Sequence, residues 1–360
     1  RAFGALGGVV GVATAVGPLA GGGLIALGGP HLGWRLVFFI NVPIGLATIV
    51  LARRWLPQAP PSTRRNRLDL AGAALLGAAT FTVLLPAVQY DAVRDPRLIW
   101  LLLPAALLLV AFVLRERRLT RQHGDPLFDL RLFREPSYTV GVILALLYFS
   151  GFTGLPLVLS LYYQQGLGYS ALQAGLGITA FAVGSAIAAT VAGRWVNRLG
   201  RPLVVGALLV FGAGTVLIDL VVSTGPGAGA ALLLAGPLLV LGAGSGGVIT
   251  PNQALSLQRV DSRMGGPAGG VLQTAQRIGS AVGQAVIGAV FFASLPHQAG
   301  PLPQERRDAV YGGALSNAVA VTLAFIAVAL VLSVTDLALN RRRQRVAGAG
   351  DEKPTAAAPG

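Results

Sequence analysis

Cysteine is absent from the 360 residues, lysine occurs once (Lys353), methionine once (Met264) and histidine three times. Without cysteine there are no disulfides and no cysteine-ligated metal sites. His31, His123 and His297 lie far apart in polar segments, so no metal-ligand cluster forms from them. No nucleophile–base arrangement emerges either, which argues against an enzyme and implies no cofactor. Charge is scarce as well, 12% against the roughly 25% of a soluble domain. That excludes the ordinary two-domain soluble protein that length alone suggests. A disordered chain is excluded by the 54% hydrophobic content. What is abundant is glycine, with 49 residues, and positive charge, with a formal net charge of +14. The chain opens on Arg1 and its one Met is internal, which reads as an N-terminally incomplete protein.

A mean hydropathy of +0.68 is concentrated in long runs. Ten of them approach the roughly 20 apolar residues that cross a bilayer: 3–27, 34–52, 70–89, 98–114, 137–160, 173–193, 203–222, 230–250, 267–295 and 313–336. Several are too long for strands and too uniformly apolar for amphipathic surface helices. The first has no cleavage pattern after it and is not a signal peptide. The expected fold class is therefore all-α, a polytopic membrane helix bundle.

Alternating the ten spans sorts the basic residues. Arg1, the 53–69 and 115–136 loops, 194–202, 258–266 and the tail together carry 22 of the 28. The other side holds Arg35, Arg94, Arg97, Arg306 and Arg307, while Arg277 lies within a span. Such a bias faces the cytoplasm, which puts both ends of this chain there, in an inner or plasma membrane. Trp34, Trp55, Trp100 and Trp195 all fall at span edges, as interfacial aromatics do. The pI of about 11.4 is thus a topology signal and not a nucleic-acid footprint. The Pro-rich basic stretch 57–69 and the charged stretch 114–136 divide the spans into two, two and six. Residues 1–57, 58–120 and 121–340 are the corresponding units, followed by a basic tail, 341–360, expected to be disordered.

The first span carries Gly4, Gly17, Pro18, Gly21 and Gly22 in fixed spacing. Small residues allow close helix approach in lipid, and Pro18 is expected to bend the helix. That spacing resembles the antiporter motif in the fifth span of major facilitator superfamily exporters, with Ala13 where the motif usually has glycine. The following Gly33-Trp34-Arg35-Leu36-Val37-Phe38-Phe39-Ile40-Asn41-Val42-Pro43-Ile44-Gly45 resembles the sixth span of the fourteen-span drug:proton antiporter family. The segment 167–176 is similar to that family's external turn into its tenth span, and Thr250-Pro251-Asn252-Gln253 and Gln276 to Gly283 to its twelfth and thirteenth. Gly193, Asn197, Arg198, Gly200 and Arg201 match its cytoplasmic loop motif, though the family prefers Asp at position 197. Asn197 leaves that motif's charged latch unmade. The resemblance covers residues 1–340 and implies a major facilitator fold lacking its first four helices.

Several residues stand out on their own chemistry. Gln273, Arg277, Ser280 and Gln284 recur at helical spacing on one face, while Gly279 and Gly283 lie toward another. An Arg at mid-span costs about 2.5–3.5 kcal/mol unless it meets protein or water. Arg277 either faces a wet cavity or snorkels to the interface. Tyr148 and Phe152, one turn apart, suit a lipophilic or cationic ligand through stacking and cation–π contact, or simply pack. Asp219 is a carboxylate inside a span near its external end, a candidate for proton or cation handling or an interfacial acid. Asn41 and Asn252 are expected to repair backbone bonds freed by Pro43 and Pro251. Gly242-Ala243-Gly244-Ser245-Gly246-Gly247 lacks the strand and acid of a nucleotide fingerprint and reads as packing.

The resemblance implies proton-driven export of lipophilic, often cationic compounds by alternating access. The partners implied are the bilayer, a small-molecule substrate and protons, with a monomer expected and no nucleic acid. A same-fold transporter of another metabolite and a non-transporting remnant remain the alternatives.

Overall fold

A computed structural model of the chain describes residues 2–55, 69–93, 100–121, 130–261, 264–296 and 303–351. Among these residues there is no strand, and each of the ten apolar runs carries a helix. The helices are α1 (Ala2–Phe39), α2 (Asn41–Trp55), α3 (Leu70–Val93), α4 (Leu102–Arg121), α5 (Pro136–Phe152), α6 (Gly154–Leu161), α7 (Ala171–Leu199), α8 (Arg201–Ser223), α9 (Ala230–Leu257), α10 (Gly265–Ala293) and α11 (Gln304–Asp351). Six segments among them are long and apolar enough to span a membrane: His31–Trp55, Pro136–Gly166, Ala171–Leu199, Arg201–Ser223, Ala230–Leu257 and Arg306–Asn340. The linkers at 56–68 and 122–129, together with His123, His297 and the last nine residues, lie outside the described residues.

Three boundaries have local causes in the sequence, and the last two depart from the apolar runs. In α1 the non-helical torsions fall at Gly29 (φ 62°, ψ −170°). There the first span reverses into the second. A methyl added at Gly28 would stand 2.6 Å from Gly33 Cα, so only glycines fit this turn. The run at 137–160 is two helices, because Pro156 has no N–H for the carbonyl one turn back and its ring crowds that carbonyl. Thr153 bridges the break by donating from Oγ1 to Phe149 O (2.8 Å) and Ser280 O (3.1 Å). The segment ends in a wider turn, where Leu167 N–H donates to Tyr162 O five residues back. Finally, the tail expected to be disordered from 341 is helical as far as Asp351. Arginines and alanines there are good helix formers.

The start of α7 follows from its sequence. Ser170 Oγ accepts from Gln173 N–H (3.2 Å), and Ser170 N–H donates to Gln173 Oε1 (2.8 Å), a reciprocal cap. Asn41 Nδ2 donates to Val37 O and Phe38 O at the break before α2, not to Phe39 O, the carbonyl that Pro43 leaves without an N–H. At the foot of the α3–α4 hairpin, Arg115 donates from Nη2 to Asp69 Oδ1 at 2.7 Å. That guanidinium holds the Asp69 carboxyl below the usual carboxylate range.

Glycine contacts hold the last six spans together. Methyls added at Gly242 or Gly246 of α9 would overlap the carbonyl oxygens of Phe181 and Ser185 in α7. Gly244 meets the Phe211 backbone of α8, and Gly214 of α8 meets Leu241. Hence α9 is clasped between α7 and α8. Gly279 and Gly283 of α10 likewise lie against Leu146 O and Ser150 O of α5. The main core fills the space these contacts define, with Tyr148, Leu159, Tyr163, Phe211, Leu234 and Phe291 all fully buried. Outside this bundle α1 lies along α7, and the α3–α4 hairpin leans on α10.

Replacing Gly246 with Leu should therefore lower stability by about 1–3 kcal/mol or more, through forced separation of α7 and α9. Gly236→Leu, where an added methyl meets nothing within 4 Å, should change it by less than about 0.5 kcal/mol. Thermal unfolding of the purified protein in detergent distinguishes the two; equal effects would contradict the clasp.

Candidate transport pathway and basic-end network

The packing of α10 sorts its two faces. With Gly279 and Gly283 buried against α5, the polar residues point elsewhere. Gln273, Arg277 and Gln284 are exposed and Ser280 is half-buried. Arg277 sits near the middle of this 29-residue helix, and Thr153, between α5 and α6, donates to the Ser280 carbonyl beside it. The result is a helix with one dry, glycine-lined side and one side of amide, hydroxyl and guanidinium groups left uncovered by the chain's own helices.

The aromatic pair lies deeper. Tyr148 is 1% exposed, and its hydroxyl faces Ser245 of α9 without reaching hydrogen-bond geometry. Its ring stacks on Phe152 at 5.6 Å and meets Phe211 edge-on at 5.4 Å. Phe152 is half-buried and also stacks on Phe181 of α7 at 5.8 Å. These rings thus form one cluster joining α5, α7 and α8. Asp219 of α8 is half-buried, one of its oxygens is enclosed, and that oxygen has no hydrogen-bond partner among the described residues.

Of the glycine set in α1, Gly22 is buried against α7, where a methyl would come within 3.2 Å of Ala171 O and Leu172 Cα. Gly17 and Gly21 meet nothing within 4 Å. The surroundings of Gly4 and the Pro18 side chain lie outside the described residues.

The loop motif holds a network that its sequence only half suggests. Gly193 is buried, Asn197 is exposed in the last turn of α7, and Gly200 turns the chain at φ 57°, where glycine is favoured. Gly200 precedes α8, and no side chain caps that helix. Arg198 lies over the Trp195 ring at 5.7 Å. Arg201 is buried and pairs with Asp336 of α11, Nε to Oδ2, at 3.2 Å. Its Nη2 donates to Ser137 O (2.7 Å) and its Nη1 to Asn252 Oδ1 (3.3 Å). Asn252 Nδ2 donates onward to Gly141 O at 2.9 Å. Asn252 therefore ties α9 to α5 and α8, rather than repairing its own helix beside Pro251. Asp336 was missed as an inward-facing acid because it stands at the end of an apolar run. The available signal was its solitude: it is the only acid between Asp308 and Asp351.

An all-helical bundle with six helices long and apolar enough to cross a membrane is the architecture of a polytopic membrane protein. The comparisons agree. The Major Facilitator Superfamily model matches residues 1–284 and 141–356, and the chain belongs to that family. It is 35% identical over 300 residues to the "Probable actinorhodin transporter" of Streptomyces coelicolor, covering 83% of this chain and 52% of that protein. It is 32% identical over 295 residues to the "Tetracenomycin C resistance and export protein" of Streptomyces glaucescens, covering 80% and 52%. Over 323 residues it is 30% identical to the "Multidrug resistance protein Stp" of Mycobacterium tuberculosis, covering 85% and 56%. The chain spans about half the length of these curated relatives.

Removing one partner of the buried Arg201–Asp336 pair leaves an uncompensated charge, a cost of about 3–5 kcal/mol. Arg201→Met and Asp336→Leu should each destabilise by that order, whereas the double variant should recover most of the loss. A double-mutant cycle on thermal stability tests this; additive losses would mean the pair contributes nothing specific.

Proposed function

We propose that the chain supplies spans five to fourteen of a proton-driven exporter of lipophilic, often cationic compounds that works by alternating access. The observation that carries the reading is the division of α10. A guanidinium and two amides are left exposed near mid-helix while the glycine face is packed away. In a bilayer such groups are costly unless they face protein or water, so this face lines the pathway. The relatives named for export of, or resistance to, tetracenomycin C and other drugs favour that cargo class.

Within this reading Arg277, Gln273, Ser280 and Gln284 present hydrogen-bond donors and acceptors to cargo, and Arg277 repels like charge until a proton or cargo moves. Phe152 offers the aromatic wall, with Tyr148 holding its ring from the buried side. Asp219 is the candidate proton or cation carrier. Gly22 of α1 gives the N-terminal unit a close contact on α7 across which two bundles rock. The Arg201 brace at the basic end holds α5, α8, α9 and α11 as one moving body. Residues 1–57 act as part of the first bundle, 58–120 as the two central spans and 121–340 as the second bundle. The charge bias supports basic ends that face the cytoplasm, with the cell membrane as the setting this reading assigns. Proton coupling and outward direction rest on the resemblance of the first two spans to drug:proton antiporters.

The test is ethidium efflux from proteoliposomes of the full-length protein under an imposed pH gradient. Efflux should stop when the gradient is collapsed. Arg277→Ala should cut the initial rate by about tenfold or more, about 1.4 kcal/mol of activation free energy, with folding unchanged. Gradient-independent efflux would remove proton coupling, and an unaffected Arg277→Ala rate would place that side chain outside the pathway.

A further inference from the structure

Helices α7 and α8 are consecutive, yet each packs mainly on α9 and only slightly on the other. Their splay leaves a groove of about 540 Å³ on the outer surface of the bundle. Its walls are Val191, Trp195 and Leu199 of α7 and Leu203 and Val210 of α8. Its floor is α9, at Ala243 and Gly247. The small residues Ala188, Ala192, Gly206 and Ala207 keep it open. From Leu199 up to Ala188 the groove runs about 16 Å along α7, roughly the depth of one leaflet's hydrocarbon. Val191, Trp195, Leu199 and Val210 are exposed, so the groove opens outward from this chain's helices.

Charge appears only at the basic end. Arg194 and Arg198 stand one turn apart beside Trp195, are exposed, and form no ion pair among the described residues. The third cation of this turn, Arg201, is already committed to Asp336. No acid occurs between Arg134 and Asp219 except Glu135, which pairs with Arg259. An apolar slot one leaflet deep, lined at its basic end by Trp195, with the Arg198 guanidinium over that ring and Arg194 one residue before it, matches a molecule with a long apolar tail and an anionic head.

We propose that this groove is a specific site for one anionic glycerophospholipid of the leaflet on the basic side. An acyl chain lies over Gly206 and Gly247, and the phosphate is held by Arg194 and Arg198. Guanidinium is suited to this role because it donates to phosphate oxygens in a planar fork. Basic pockets between membrane helices recognise lipid head groups in the same way. The site does not rest on the transport reading; it requires that the bundle lies in a bilayer and that this face of α7 and α8 is open to lipid in the full-length protein.

The open space at Gly206 supplies a clean probe. An added methyl there meets nothing within 4 Å, so Gly206→Leu fills the slot without moving the helices. Native mass spectrometry of the protein, titrated with phosphatidylglycerol or phosphatidylcholine of the same chains, reads the bound lipid directly. The wild type is expected to retain one phosphatidylglycerol in preference to phosphatidylcholine. Arg194→Gln with Arg198→Gln should erase the preference, at about fivefold per arginine. Gly206→Leu should abolish the tight stoichiometric lipid, and Gly236→Leu should leave it intact. Equal retention of both lipids by the wild type would overturn the proposal, as would an unchanged Gly206→Leu variant. Ethidium bound in the groove, sensitive to Gly206→Leu but not to the arginine changes, would assign it to cargo instead. A dimer lost in Gly206→Leu would assign it to a second copy of the chain.

Discussion

Everything in the C-terminal six spans depends on how closely α9 approaches its neighbours. In lipid there is no hydrophobic force pulling one apolar helix onto another, so association rests on packing and on hydrogen bonds. Here the packing is backbone against backbone. Gly242 and Gly246 touch carbonyls of α7, and Gly244 touches α8 from another face of the same helix. A single methyl at any of these points would overlap a backbone atom. The same device recurs where α10 meets α5 at Gly279 and Gly283. Both proposed surfaces are by-products of this constraint. Turning the glycines of α10 inward turns its amides and Arg277 outward. Drawing α7 and α8 onto α9 leaves them splayed apart, with a groove between them.

Polar brakes complement that packing at the basic end. Arg201, Asp336 and Asn252 are each buried, and together with backbone carbonyls of α5 they join four helices. In a low-dielectric setting such a network is strong when complete and expensive when broken. It holds the four helices together as a unit, because partial separation leaves charges unpaired. The opposite end of the segment Pro136–Gly166 is built from aromatic contact instead, with Tyr163 stacked on Tyr169 at 5.5 Å.

Much of this was legible in the sequence. The apolar runs became helices, and the glycine-rich run 242–247, read as packing rather than a nucleotide loop, lies in helix contacts. The division of α10 into polar and glycine faces followed from helical spacing alone. What was not legible depended on partners distant in the chain. Asp336 looks interfacial until α11 is laid against α8, and Asn252 looks like a local repair until α5 supplies the Gly141 carbonyl. Tyr148 and Phe152 share a helix face, yet burial separates them, because the rings of Phe181 and Phe211 come from α7 and α8. Breaks were legible only in part. Gly29 turns the chain where Pro18 had been the more conspicuous residue, and Pro156 splits a run that hydropathy alone reads as continuous.

The chain's lack of cysteine makes one experiment unusually direct. Gln284→Cys on the polar face of α10 and Ile187→Cys on the exposed apolar face of α7 each introduce the one thiol of this chain, well inside its helix, in a background where any cysteine outside it is replaced by serine. The full-length protein in membranes is treated with a membrane-impermeant, positively charged thiosulfonate, since thiolates form only where water reaches. Labelling of Gln284→Cys, protected by cargo, with Ile187→Cys left unreacted, is the result expected if this face lines a water-filled pathway. Equal inertness of both thiols would contradict it.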